Sequence, residues 1–63
     1  MQQDKLIRER IKVKVYNETG KAVRNVFYLT NDDEKVYYCI CGNNNNIFGV
    51  ASIDKNNDIE VII

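Results

Sequence analysis

The sequence predicts an all-β domain, a five-stranded antiparallel meander folded into a strongly bent sheet or a small SH3- or OB-like barrel. Three observations predict it. Apolar and polar residues alternate with a period of two over most of the chain. Polar segments rich in Asn, Asp and Gly separate the alternating runs and are typical of turns. These connections are too short for parallel crossovers, and 63 residues leave room for one small domain, residues 1–63.

The alternating runs locate the strands in order. The five predicted strands span residues 11–16, 22–30, 35–41, 47–53 and 58–63. The N-terminal segment, residues 1–10, fits either a short helix or an extension of the first strand, and we favour the helix.

Three local features refine these elements. Gly20 follows the first predicted strand, and we expect it to adopt the positive φ that a tight reversal often requires. Residues 43–46 are four consecutive Asn, which tolerate left-handed backbone and therefore predict a loop. The alternation of the second run is imperfect near Asn25, which predicts a β-bulge at that point.

The third predicted strand is apolar or aromatic on both faces. A sheet with one solvated face would alternate cleanly, so we expect residues 36–41 to be covered twice: by barrel closure, by the N-terminal segment or by a second subunit. The even-numbered positions make the better core set. Tyr37, Cys39 and Cys41 on the other face, together with Tyr16 of the first strand, are therefore the predicted protein-interaction residues.

Basic residues alternate near the N-terminus of a chain whose formal net charge is zero. If this stretch is extended, Arg8, Arg10, Lys12 and Lys14 project from one face about 6.6–6.8 Å apart, close to the phosphate spacing of a single strand. This row is the basis of an alternative hypothesis, a small barrel that binds single-stranded nucleic acid, with Tyr16 as a stacking platform.

Two structural interpretations compete with that hypothesis. The row fits an ordinary solvated strand face. It also fits a first strand paired with the fifth, where Asp58 and Glu60 would neutralise Lys12 and Lys14. Because basic and acidic groups balance at nine each, the composition favours these structural interpretations over nucleic-acid binding.

No residue set typical of catalysis or metal binding is found. The chain has no His, which is the commonest general base and metal ligand near neutral pH. Its three Gly residues form no phosphate-binding loop, and Cys39 with Cys41 supplies only half of a soft-metal site. Residues 54–60 begin like an EF-hand loop but carry Ile59 where that loop needs Gly. We expect a non-enzymatic protein with no cofactor and no metal.

Compartment and source follow from composition. The polar start of the chain, the lack of an apolar run of about 20 residues and the small number of Cys predict a cytoplasmic protein with no membrane contact. Abundant Asn, Ile and Lys, which have A/T-rich codons, suggest a low-GC genome or its phages. The predicted layout is similar to that of Sm-like RNA-binding rings. Their glycine-marked motif is absent apart from Gly20, so no family is assigned.

These observations lead to three functional hypotheses. The first is a small non-enzymatic module that binds another protein, as a phage or mobile-element regulator or inhibitor acting by protein–protein contact. The second is the single-stranded nucleic-acid-binding barrel. The third is a homo-oligomeric structural protein, for example a homodimer, that buries the same apolar face against its own copy.

Overall fold

The computed structural model describes residues 2–63, with side chains described from residue 4 onward, so Met1 of the predicted domain lies outside the described residues. One N-terminal helix precedes a four-stranded antiparallel sheet in the order β1-β2-β3-β4. The elements are α1 (Gln2–Thr19), β1 (Asn25–Asn31), β2 (Lys35–Cys41), a 3-10 turn (Asn43–Asn45), β3 (Ile47–Asp54) and β4 (Ile59–Ile62). The mainly β architecture and the antiparallel meander are confirmed. The prediction of five strands and of a closed barrel is wrong.

Residues 11–16, the predicted first strand, form the C-terminal half of α1. The segment fits both periods, because Ile11 and Val15 lie four residues apart as well as in alternation with Val13. In the helix Ile11 and Val15 are 0% exposed and continue from the half-buried Ile7, whereas Val13 is 57% exposed. Spacings of four residues therefore place one apolar stripe against the sheet and leave Val13 outside it.

Local interactions stabilise the helix and determine where it ends. Two ion pairs join residues four apart, Asp4 with Arg8 at 2.8 Å and Lys14 with Glu18 at 2.6 Å. At Gly20 φ is +75°, and its N–H donates a hydrogen bond of 2.8 Å back into the last turn. The predicted positive φ of Gly20 is confirmed, but it ends a helix rather than a hairpin strand.

The helix packs on one face of the sheet, which we call the covered face. The buried cluster there comprises Ile11, Val15, Val26, Tyr38, Ile40, Ala51 and Ile53. The even-numbered positions of residues 36–41 thus form the core side of β2, as predicted. Helix α1 supplies one of the two covers that the sequence requires for this strand.

Polar contacts also join the helix to the sheet. The Tyr38 hydroxyl donates to Asp4 Oδ1 at 2.9 Å, and Arg8 Nε donates to Asp4 Oδ2 at 2.8 Å. Arg8 Nη1 donates to the Val26 carbonyl at 2.8 Å, and the guanidinium lies 5.8 Å from the centre of the Tyr38 ring. Burial, and then the hydrogen bond to Asp4, raise the pKa of Tyr38 to about 12. The same hydrogen bond is the main reason why the pKa of Asp4 is lowered.

Bulges and turns complete the sheet. The register of β1 shifts between Tyr28 and Thr30 rather than near Asn25, so the predicted position of the bulge is wrong. The prediction that Asn residues take left-handed backbone is confirmed at Asn44 and Asn45, with φ of 61° and 58°. Backbone of this kind lets the short connections reverse the chain without Gly.

Candidate protein-interaction site

The sheet face that points away from α1, which we call the open face, carries the residues that alternate with the core. Its central members are Phe27, Tyr37, Cys39, Cys41, Val50 and Ile62. The helix of the described chain lies on the opposite side of the sheet. The second cover expected from the sequence is therefore not supplied by the described residues of a single copy.

A continuous apolar row crosses the open face, with one residue from each strand. Phe27 is paired with Cys39, Cys39 with Val50, and Val50 with Ile62. Directly paired side chains on one face lie about 4.5–5.5 Å apart, so the four form one strip. The ends of the strip are open to solvent, with Phe27 44% and Ile62 68% exposed. Cys39 in the middle of the strip is only 8% exposed, so the exposed apolar surface lies at the two ends. Exposed apolar surface of this kind marks interaction sites.

Tyr37 extends the open face toward the β1–β2 turn, and its phenol is held in place. Its hydroxyl donates to Asp32 Oδ2 at 3.1 Å, while Asp32 Oδ1 accepts the backbone N–H groups of Glu34 and Lys35, both at 2.8 Å. Those two backbone hydrogen bonds lower the pKa of Asp32. The bond to Asp32 in turn raises the pKa of Tyr37. The ring is thus oriented before any partner arrives, which reduces the entropy cost of contact.

Cys39 and Cys41 lie on the open face but are only 8% and 2% exposed. Burial, with a smaller effect of Cys39, raises the pKa of the Cys41 thiol. Both cysteines are free thiols, and a raised pKa makes a thiol less reactive. They therefore contribute apolar surface. Among residues 2–63, no three His, Cys, Asp or Glu side chains are grouped to hold a metal ion.

Charged groups are confined to one end of the open face. Lys35 Nζ lies 3.9 Å from Glu60 Oε1, and Lys35 is paired in register with Asp54. Ser52, only 9% exposed, lies between this charged end and the apolar row. The face thus has an apolar centre and one polar margin, which resembles the anatomy of protein interfaces.

The structure separates the fourth predicted interaction residue from the other three. Tyr16 lies on α1 and is 58% exposed, so the covered face and the sheet lie between it and Tyr37. Tyr37, Cys39 and Cys41 share the open face as the alternation predicts. Whether any of the four binds a protein stays a prediction.

The predicted basic row does not form, because residues 8–14 are helical and not extended. The four side chains divide into two pairs on different sides of α1, each pair four residues apart. Each has a partner within the chain: Arg8 contacts Asp4, Arg10 contacts the Asn57 carbonyl, Lys12 contacts Glu9, and Lys14 contacts Glu18. The spacing argument for nucleic-acid binding, and the pairing of Lys12 and Lys14 with a fifth strand, therefore do not hold.

Sequence reasoning missed Phe27, Val50 and Ile62. They can be identified from the strand register. Once Cys39 is placed on the open face, the pairing of the strands in each hairpin determines which residues lie beside it.

The structure also shows a groove of about 840 Å³ between α1 and the start of β4, lined in part by Leu6 and Val13. Its rim carries both acidic and basic side chains, so its charge indicates no particular ligand.

Comparison of the chain with protein families, with curated proteins and with solved structures finds no match. Among residues 2–63, no helix combines the length and apolarity needed to cross a membrane. The geometry of the open face therefore carries the functional proposal.

Proposed function

We propose that this chain is a non-enzymatic protein-binding module that acts by protein–protein contact through its open face. The observation that carries the proposal is the apolar row from Phe27 to Ile62, which crosses all four strands and is exposed at both ends. Removing such surface from water is favourable by roughly 25 cal/mol per Å². A second sheet or a helix laid on this face would supply that burial.

The residues of the open face divide the work of binding. Phe27 and the pre-oriented Tyr37 are the aromatic anchors, the residue class that dominates interface energetics. The small side chains of Cys39 and Val50 continue the apolar row from Phe27, and Ser52 is paired with Tyr37. Small side chains at these positions keep the centre of the face flat enough for close packing. A flat, weakly polar surface fits a protein partner better than a small ligand, which binds in a concave pocket.

The β1 edge of the sheet is a less suitable docking site than the open face. Arg8 reaches from the helix and occupies the Val26 carbonyl at this edge. A charged side chain at an edge strand discourages strand addition. Contact through the open face needs no such group to move.

The biological setting that we propose is a cytoplasmic regulator or inhibitor encoded by a phage or mobile element. Support for it comes from the abundance of residues with A/T-rich codons and from a surface suited to contact rather than chemistry.

Photo-crosslinking in cells of the source organism tests this function. A benzoylphenylalanine replaces Phe27 in one variant and Leu6, which is 62% exposed on α1, in the control. We expect discrete protein adducts from position 27 that excess unmodified chain competes away, and none of these adducts from position 6. No adduct at position 27, or the same adducts from both positions, would contradict the proposal.

A further inference from the structure

We infer that the chain packed on the open face is a second copy of this protein, related by a two-fold axis that runs parallel to the strands between β2 and β3. This inference rests on the proposed function, because it names the occupant of the same face. The resulting dimer is a β-sandwich with both helices on the outside, and its two sheets lie about 10 Å apart.

The register of the sheet fixes which apolar residues meet across such an axis. Rotation exchanges β2 with β3 and β1 with β4, and it keeps each residue at its own level along the strands. Phe27 then faces Ile62 of the second copy, and Cys39 faces Val50 of the second copy. The exposed ends of the apolar row are thus buried together, and a large side chain meets a smaller one at each position.

The polar margin is also complementary to itself under this rotation. Because Lys35 is paired with Asp54 and Tyr37 with Ser52 in one sheet, Lys35 faces Asp54 and Tyr37 faces Ser52 across the interface. Glu60 meets the uncharged Thr30 of the second copy, which occupies the same level of β1. Opposite charges therefore meet, and no like charges lie directly opposite one another.

A two-fold axis perpendicular to the strands matches less well. It reverses the strand direction, so the charged end with Lys35 and Asp54 would lie over the apolar end with Cys41 and Ile47. Burying charges against apolar side chains without partners is costly. Charge complementarity thus selects the axis parallel to the strands.

The area of the open face is sufficient for a weak dimer. Three strands of about seven residues and the four-residue β4, about 4.8 Å apart with about 3.4 Å per residue, give a face of about 400 Å² per copy, or about 800 Å² for the pair. Specific interfaces begin near 1,000 Å² of total buried surface. We therefore expect a weak dimer that dissociates on dilution rather than an obligate one.

Sedimentation equilibrium from about 1 μM to about 1 mM tests the self-association. We expect the average mass to rise from 7.3 kDa toward twice that value. Phe27→Glu should raise the dissociation constant at least tenfold, whereas the matched change Leu6→Glu on α1 should leave it within twofold. Circular dichroism confirms that each variant is folded. A single-chain mass at every concentration, or equal effects of the two changes, would overturn the inference.

Isotope-filtered nuclear Overhauser spectra of a mixed labelled and unlabelled wild-type sample test the axis. We expect contacts between the Phe27 ring of one copy and the Ile62 methyl groups of the other. Contacts between the Phe27 ring of one copy and Thr30 of the other, both on β1, would instead mean the perpendicular axis and would overturn this geometry. If the chain is monomeric and position 27 crosslinks to a different protein, only the second-copy inference is overturned. If position 27 forms no crosslink at all, the proposed function is contradicted.

Discussion

The two faces of the sheet are made from alternate residues of the same four strands, yet only one of them is covered by the described part of the chain. On the covered face Tyr38 and Ile40 of β2 are 3% and 0% exposed beneath α1. On the open face the apolar row ends in Phe27 and Ile62, which are 44% and 68% exposed. Apolar character alone therefore does not determine which face the helix covers.

Two neighbouring tyrosines show what distinguishes the faces. Tyr38 is buried, so its hydroxyl needs a partner, and Asp4 of the helix provides one at 2.9 Å. Tyr37, on the opposite face, donates its hydroxyl to Asp32 in the adjacent turn. The helix thus packs where it satisfies a buried polar group as well as an apolar core, and the open face needs no helix for its polar groups.

The difference in burial between the two faces is tested most directly by removing the same side chain from each of them. Ile40→Ala should lower the free energy of unfolding by about 3 kcal/mol because it leaves a cavity in the core. Ile62→Ala should cost less than about 1 kcal/mol in the single chain, since its side chain is already largely solvated. Urea denaturation at low micromolar concentration measures both.

A loss of about 3 kcal/mol approaches the whole stability of a domain of this size, so Ile40→Ala can leave a mostly unfolded chain. Ile40→Val keeps the experiment quantitative, with an expected cost of about 1 kcal/mol. Equal costs at positions 40 and 62 in the single chain would show that both faces are covered, against the structure.

Alkaline pH should weaken the contact between the helix and the covered face. The pKa of Tyr38 is raised from 10.0 to about 12, so the folded state holds this proton more tightly than the unfolded state. That contribution is fully present below pH 10 and is lost as the pH rises from about 10 to about 12, by about 3 kcal/mol in total. Tyr38→Phe should remove this part of the pH dependence.

Urea denaturation between pH 9 and pH 12 measures the difference between wild type and Tyr38→Phe. Tyr16→Phe is the matched control, because it removes an exposed tyrosine hydroxyl from α1 and leaves Tyr38 in place. The contradicting result is a free energy of unfolding that depends on pH in the same way for the wild type and for Tyr38→Phe. In that case burial of Tyr38 does not shift its titration, and the proposed role of the Asp4 contact is wrong.

The strands could be predicted from the sequence, because their signals are local. Residues 35–41 were predicted and observed as a strand, and the antiparallel order follows from connections too short for any crossover. The side of β2 that carries Tyr37 and Cys39 also follows from strict alternation. These inferences need only the period of the pattern and the chemistry of the turns.

The helix could not be recognised from the same kind of pattern. Ile11, Val13 and Val15 are β-branched and alternate, which favours a strand. Burial under tertiary contact overrides that preference once Ile7, Ile11 and Val15 form a stripe at spacings of four. The oppositely charged residues at the same spacing, such as Asp4 and Arg8, were the available signal. Because this signal was not used, Tyr16 and the four residues of the basic row were all placed on a strand instead of a helix.

The smallest expected effects compare two ion pairs of the same helix. Arg8 contacts Asp4, the Val26 carbonyl and the Tyr38 ring at the edge of the covered face, whereas Lys14 contacts the exposed Glu18. Arg8→Gln should therefore lower the free energy of unfolding by about 1 kcal/mol.

Lys14→Gln should change the free energy of unfolding by less than about 0.5 kcal/mol, and added salt should abolish the effect because exposed pairs are screened. Thermal denaturation at low and high salt measures both variants. A larger cost for Lys14→Gln than for Arg8→Gln would mean that the contacts of Arg8 with Val26 and Tyr38 contribute little, and that the helix is positioned on the covered face by apolar packing alone.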